Sequence, residues 1–178
     1  TAYALNVKSG KVLWKRFAGS GPGGQSLSID GTRLYVNGLA LNVKNGRTKW
    51  ASSMPFNGDS ASLLQNPNGK IIYSIINVFN GASKLSNVAL DASKGTLMWR
   101  FKAGTGTDSS PILPVMNKAG TLLYRRSSDG FISCINAYSG KVVFRTAKSY
   151  FHSGYGQAIL SKSEKTLYVT LGGKSDLT

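Results

Sequence analysis

Four copies of one eleven-residue pattern decide the fold of this chain, and the first copy is ALNVKSGKVLW at residues 4–14. The pattern returns as ALNVKNGRTKW at 40–50, ALDASKGTLMW at 89–99 and CINAYSGKVVF at 134–144. In each copy, two short apolar runs flank a polar segment that ends in glycine. Hairpin loops of this length commonly end in the left-handed conformation, where glycine carries no steric penalty. We therefore predict a β-hairpin in each copy, turning at Gly10, Gly46, Gly95 and Gly140.

A second motif precedes the first in the same phase. It is an apolar run centred on tyrosine, and its four tyrosines are Tyr35, Tyr73, Tyr124 and Tyr168. Shorter apolar runs come before these, and no segment of the chain has helical spacing. Each repeat thus predicts four strands: a short first strand, a tyrosine strand, and the two strands of the hairpin. Four antiparallel strands in roughly 40 to 50 residues are the signature of a propeller blade.

The predicted fold is an all-β propeller of four-stranded antiparallel blades, with about four repeats. Residues 1–178 form a single propeller domain or a partial propeller. The predicted units are 25–52, 61–102 and 110–147, with a blade split between about 1–17 and 157–178. The C-terminal residues supply the first half of a blade and the N-terminal residues the second half. This is expected both for a closed small ring and for a fragment of a propeller of seven or eight blades.

Composition limits the classes of partner. The formal net charge is +15, which favours an acidic partner or surface, although a solvated basic surface that keeps the protein soluble is the plainer explanation. Cys134 is the single cysteine and His152 the single histidine, so no disulfide framework and no histidine-based metal site is predicted. No apolar run reaches the ~20 residues of a membrane helix.

The pattern Ala-Leu-x-x-x-x-Gly-x-x-x-Trp after a tyrosine strand resembles the PQQ-like repeat of quinoprotein-type β-propellers over nearly the whole chain. In that family the repeat tryptophan docks between neighbouring blades. The resemblance therefore implies blade-docking roles for Trp14, Trp50 and Trp99, and for Phe144, which departs from the pattern. The repeat is shared by quinone-dependent dehydrogenases and by outer-membrane assembly scaffolds of the BamB type, so it implies a fold more than a function.

We expect a non-enzymatic binding or scaffold propeller, with a fragment of a PQQ-dependent dehydrogenase as the alternative. PQQ and calcium are expected only under that alternative, because the chain lacks the adjacent cysteine pair that many such enzymes carry. The resemblance implies an extracytoplasmic location: secreted, periplasmic or in an organelle lumen. Further blades, from a longer chain or a second copy, are also candidate partners.

Loops between blades are where a ligand is expected, because in a propeller they converge at the central channel. By repeat position the candidate channel residues are Gln25, Asp59, Asp108 and Gln157, for which ordinary polar turns are the competing interpretation. A calcium site needs six to eight oxygen ligands, and this chain has seven carboxylate side chains, widely spread. The stretch GSGPGG at 19–24 matches a phosphate-binding pattern but lacks the helix that such a site requires.

Basic residues cluster on or beside the predicted fourth strands. Strand alternation turns about half of them outward, which predicts a discontinuous basic belt at the outer rim of the propeller. The members are Lys15, Arg16, Arg47, Lys49, Arg100, Lys102 and Arg145. The expected partner is an acidic protein, a polyanion or an anionic membrane. Sequence-specific nucleic-acid binding is not expected, because the tryptophans are assigned to packing rather than to base stacking.

Overall fold

A computed structural model describes residues 1–19, 24–54, 63–79, 83–102, 114–126, 131–147 and 158–170. These residues form sixteen strands and their turns, with no helix. The chain is all-β, as predicted. No helix capable of crossing a membrane occurs in the part of the chain that is described.

Three sheets are complete four-stranded antiparallel blades, each formed by consecutive strands. The first blade contains β3 (Gln25–Leu27), β4 (Arg33–Val36), β5 (Leu39–Asn42) and β6 (Thr48–Ala51). The second contains β7 (Leu63–Gln65), β8 (Ile71–Phe79), β9 (Ser83–Asp91) and β10 (Leu97–Lys102). The third contains β11 (Val115–Met116), β12 (Leu122–Arg126), β13 (Ile132–Asn136) and β14 (Val142–Arg145).

Two further sheets have two strands each. The N-terminal half-blade consists of β1 (Ala2–Leu5) and β2 (Val12–Arg16), and the C-terminal half-blade of β15 (Ala158–Leu160) and β16 (Leu167–Val169). Within the described ranges these half-blades are separate sheets and are not hydrogen-bonded to each other. The structure agrees with a fragment of a β-propeller, one of the two arrangements that the repeat phase allows.

Each repeat hairpin is shaped by an Asn or Asp at its start as well as by the glycine at its end. In the first blade, the Asn42 side-chain oxygen accepts the backbone N–H of Lys44 at 2.8 Å, and the Gly46 N–H donates to the Asn42 carbonyl at 2.8 Å. The glycine has φ +67°, in the left-handed region predicted for it. The other three hairpins repeat this geometry, starting at Asn6, Asp91 and Asn136.

The core lies between blades, in three separate clusters. The second and third blades enclose the largest one, in which Tyr73, Trp99, Leu123 and Ile135 are buried. Smaller clusters join the first blade to the second and the N-terminal half-blade to the first. Each blade therefore packs mainly on its neighbours, so stability builds up blade by blade, as in other repeat proteins.

Candidate functional site

Three tryptophans bind the blades together through one repeated contact. The indole Nε1–H of Trp14 donates to the Val43 carbonyl of the next blade at 2.8 Å. Trp50 donates in the same way to Ala92 at 3.0 Å. Trp99 donates to Ala137 at 2.9 Å. Each hydrogen bond crosses one blade interface, so the indole fixes both the distance and the register between neighbouring blades.

The hairpin glycine of the next blade is the seat for each indole ring. A Cβ atom at Gly46 would lie 2.7 Å from the Trp14 ring, and one at Gly95 would lie 2.3 Å from the Trp50 ring. One at Gly140 would lie 2.7 Å from the Trp99 ring. These distances are too short for any side chain, so the glycine is needed for close approach as well as for its backbone conformation.

The repeat tyrosines complete two of these interfaces. Tyr35 stacks on Trp50 with ring centroids 5.8 Å apart, and Tyr73 packs on Trp99 at 5.9 Å in a tilted arrangement. Both tyrosines are almost fully buried. Burial raises the pKa of both phenols, because the charged form loses its hydration. The tyrosines stay neutral and serve packing.

Phe144 differs from the three tryptophans at its repeat position. Its side chain is 49% exposed, whereas Trp99 is 8% exposed. Phe144 lies on β14, and residues 148–157 and 171–178 lie outside the described residues. The blade-docking role expected for Phe144 is therefore not seen in the described residues.

The fourth strands of the complete blades, β6, β10 and β14, each lie at a sheet edge, and β2 is the corresponding strand of the N-terminal half-blade. The first strands of the first two blades lie close to each other. The Gln65 side chain on β7 donates a hydrogen bond to Ser26 Oγ on β3 at 2.8 Å. The fourth strands occupy the opposite edges of the blades, with one side unpaired. Side chains on a fourth strand therefore lie at the sheet edge opposite the first strand.

Seven of the predicted basic residues lie on or beside these strands. The described members of the set are all exposed, namely Lys15, Arg16, Arg47, Lys49, Arg100 and Arg145. Three of the arginines make contacts: Arg16 Nη2 donates to Thr48 Oγ1 of the first blade at 3.1 Å, and Arg100 Nη2 donates to Ser86 Oγ at 3.0 Å. Arg145 lies 4.0 Å above the Phe131 ring centroid. Lys102 ends β10, but its side chain lies outside the described residues.

Strand alternation places several of these charges on one face. Lys15, Arg100 and Arg145 directly follow the repeat aromatic residue and Lys49 directly precedes it, so all four lie on the strand face opposite the aromatic ring. The faces that carry Trp14, Trp50 and Trp99 are occupied by contacts to the next blade. The opposite faces hold exposed cations that leave the packing undisturbed.

Arg125 is the exception among the basic residues, because it is buried at 3% exposure within the third blade. With the amide of Asn87 oriented to satisfy both groups, its oxygen accepts Arg125 Nη1 at 2.9 Å and Nε at 2.6 Å. Asn87 lies on β9, so this pair is a polar link between the second and third blades. Sequence reasoning missed it, since nothing in the strand pattern separates a buried arginine from an exposed one.

The predicted channel residues are largely untested. Gln25 is exposed at the start of β3, while Asp59, Asp108 and Gln157 lie outside the described residues, as do His152 and most of GSGPGG. Across the described ranges, no group of three or more His, Cys, Asp or Glu side chains is placed to hold a metal ion. The expectation of PQQ and calcium only under the dehydrogenase alternative stays a prediction, and we derive no chemistry from either group.

Two of the described carboxylates, Asp30 and Asp91, accept hydrogen bonds within their own turns, whereas Glu164 accepts the backbone N–H of Lys118 from the third blade. Asp30 accepts hydrogen bonds from Ser28 Oγ and from the backbone N–H and hydroxyl of Thr32, which lower its pKa to about 2. Asp91 has a lowered pKa, chiefly through the Ser93 hydroxyl. Cys134 is buried, which raises the pKa of its thiol and leaves it an unreactive packing residue.

Consecutive four-stranded antiparallel sheets that pack blade on blade define the protein as part of a β-propeller. A solved structure supports this class: the chain is similar to BamB from Moraxella catarrhalis, with a TM-score of 0.61 and 19% identity. The match covers 90% of this chain and 47% of that one, so this chain spans about half the length of the BamB chain. No protein-family model matches the sequence, and no curated protein does. The likeness establishes the fold alone.

Proposed function

We propose that this chain is a non-enzymatic scaffold module that binds an acidic protein surface through the basic side chains of its fourth strands. The observation that carries the proposal is the exposure of these cations, four of which lie on the strand face opposite the repeat aromatic residue, namely Lys15, Lys49, Arg100 and Arg145. The propeller fold that it shares with BamB supports a scaffold role, as does the resemblance to the PQQ-like repeat. An extracytoplasmic location belongs to the same proposal.

A large acidic partner fits this arrangement better than a small anion does. The cations are distributed over the edges of successive blades, so they cannot converge on one phosphate or carboxylate. Spread charges of one sign act by long-range attraction to a surface of opposite sign, and this attraction is screened by salt. A protein is favoured over nucleic acid because the described tryptophans pack against the next blade and are therefore not available for base stacking.

Salt-dependent retention tests the proposal. The 178-residue chain is applied to immobilised poly-glutamate, heparin and anionic lipid, and is eluted with increasing salt. We expect poly-glutamate to retain it above physiological ionic strength, where the Debye length is about 8 Å. Elution from all three below that ionic strength would contradict the proposal. The basic residues would then serve only to protect the strand edges and to keep the protein soluble. Retention on lipid alone would indicate a membrane as the partner, and retention on heparin alone would indicate a polysaccharide; either result would contradict a protein partner.

Matched charge variants show whether retention on the column depends on the position of the basic residues or only on the total charge. The triple variant Lys15→Glu, Arg47→Glu and Lys49→Glu changes residues on or directly beside β2 and β6. The control triple, Lys70→Glu, Lys162→Glu and Lys165→Glu, changes exposed turn residues and lowers the net charge by the same amount. We expect the first triple to elute at a much lower salt concentration than the control. Equal shifts would contradict a localised binding surface.

A further inference from the structure

The turns of each complete blade gather at one end of its strands. The first turn joins the first strand to the second, and the hairpin turn joins the third strand to the fourth. In every complete blade, a backbone N–H of the hairpin turn donates to a carbonyl of the first turn. These bonds run from Val43 to Thr32 at 3.2 Å, from Ala92 to Lys70 at 2.9 Å and from Ala137 to Thr121 at 2.8 Å. Both turns of a blade therefore belong to one surface.

Turns of successive blades are in contact, so this surface continues from blade to blade. A Cβ atom at Gly69 would lie 3.6 Å from the Ile29 side chain, and one at Gly120 would lie 2.3 Å from the Pro67 ring. Lys118 donates two hydrogen bonds to the first turn of the C-terminal half-blade. We call this surface the turn face, and it consists of the first turns 28–32, 66–70, 117–121 and 161–165 and the hairpin turns 42–46, 91–95 and 136–140.

Six lysines and three carboxylates lie on the turn face, and the two kinds of charge differ in how far they project. The carboxylates are held against the backbone. Asp30 and Asp91 each accept a backbone N–H of their own turn, and Glu164 accepts the backbone N–H of Lys118. The six lysines are all exposed, namely Lys44, Lys70, Lys94, Lys118, Lys162 and Lys165. Because lysine carries its charge at the end of a long stem, the outermost layer of the turn face is positive.

Two exposed apolar side chains lie among these lysines. Ile29, in the first turn of the first blade, is 59% exposed, and Tyr138, in the hairpin turn of the third blade, is 44% exposed. Lysine stems and tyrosine rings each combine an apolar body with a polar end, and such side chains suit the boundary between lipid headgroups and acyl chains. The turn face thus combines spread positive charge with apolar groups.

We propose that the turn face docks this protein on an anionic phospholipid surface. Its charges are distributed over the turns of four successive sheets, so they cannot converge on one small anion. All six cations are lysines, whose compact charge lacks the planar fork with which arginine recognises one phosphate or carboxylate. Attraction by lysine depends little on orientation, which suits a fluid array of lipid headgroups. This inference goes beyond the proposed function, which uses the fourth strands.

Vesicle co-sedimentation tests the proposal. The 178-residue chain is mixed with vesicles of phosphatidylcholine, with or without phosphatidylglycerol. We expect the chain to bind the vesicles that contain phosphatidylglycerol about tenfold more tightly or better, because each lysine near an anionic surface adds to the attraction. Added salt should weaken this binding by screening. Equal binding to both kinds of vesicle, or no binding at low ionic strength, would overturn the proposal.

The two charge-reversal triples of the proposed function serve here with their roles exchanged. The triple at Lys70, Lys162 and Lys165 changes the turn face and should weaken binding to anionic vesicles about tenfold or more, whereas the fourth-strand triple should weaken it less than about threefold. Circular dichroism checks that both stay folded. Equal losses on vesicles would overturn this proposal. The proposed function expects the opposite order on poly-glutamate, so the failure of either proposal is seen separately.

A tryptophan probe tests which surface meets the lipid. Tyr138→Trp places an indole on the turn face, and the control Met98→Trp places one on β10, where the methionine is 46% exposed. The three native tryptophans are common to both variants. We expect anionic vesicles to shift the fluorescence of Tyr138→Trp to shorter wavelength and to leave Met98→Trp unchanged, because only the first indole enters the lipid interface. No shift in Tyr138→Trp, or an equal shift in both variants, would overturn the proposal.

Discussion

Trp99→Ala is expected to lower the free energy of unfolding by about 3 to 5 kcal/mol, the range for removing a large aromatic side chain from a core. Trp99 is 8% exposed and lies between the second and third blades, where it contacts Tyr73 and donates to the Ala137 carbonyl. Its loss leaves a cavity in the largest cluster and an acceptor without its donor. Urea denaturation followed by circular dichroism measures the change.

Two controls separate the causes of that loss. Met98→Ala changes the neighbouring side chain, which is 46% exposed, and should alter stability by no more than about 0.5 kcal/mol. Trp99→Phe keeps most of the ring volume but removes the Nε1–H, and should cost about 1 to 3 kcal/mol through the unpaired Ala137 carbonyl. An unchanged denaturation midpoint for Trp99→Ala would show that the blades do not depend on this contact.

The sequence predicted the fold well because its signals are local and repeated. Strand alternation, hairpin glycines and a fixed tyrosine position together specify an antiparallel four-stranded blade, and three such blades occur in the structure. Repetition makes each copy support the interpretation of the others. Closure of the ring has no local signal, since the phase of the two ends is the same for a small ring and for a fragment.

The contacts that join the blades were only partly predictable. The aromatic position was visible, but its acceptors are backbone carbonyls of Val43, Ala92 and Ala137, whose side chains carry no sign of the role. The Asn or Asp at the start of each hairpin was visible in the repeat, and its spacing of four residues before the glycine is the signal that could have identified it. The burial of Arg125 could not be predicted from the sequence, because it depends on the position of the neighbouring blade.

Candidate binding residues were the least predictable feature. A channel site depends on side chains from several loops converging, and convergence is a property of the closed propeller rather than of any one repeat. Of the four predicted channel residues, only Gln25 is described, and it is exposed. The predicted basic residues are exposed wherever their side chains are described, but their role as a binding rim stays a prediction.

The hairpin glycine supplies the second large effect. Gly95→Ala should destabilise the fold by about 2 to 5 kcal/mol, because two costs combine. The left-handed backbone, at φ +72°, costs about 1 to 2 kcal/mol with any Cβ. The new Cβ would also lie 2.3 Å from the Trp50 ring, and overpacking of this kind costs about 1 to 3 kcal/mol. Denaturation midpoints give the total.

Gly31→Ala isolates the backbone cost. Gly31 has φ +66°, and a Cβ there meets nothing within 4 Å, so only about 1 to 2 kcal/mol should be lost. A double-mutant cycle isolates the remainder: in a Trp50→Ala background the ring is gone, and Gly95→Ala should then cost no more than Gly31→Ala. If Gly95→Ala costs the same with and without Trp50, the glycine serves only its own turn. If the destabilisation caused by Gly95→Ala is smaller in the Trp50→Ala background, the glycine is needed to make room for the tryptophan of the preceding blade. The repeat would then require glycine at this position for packing as well as for backbone conformation.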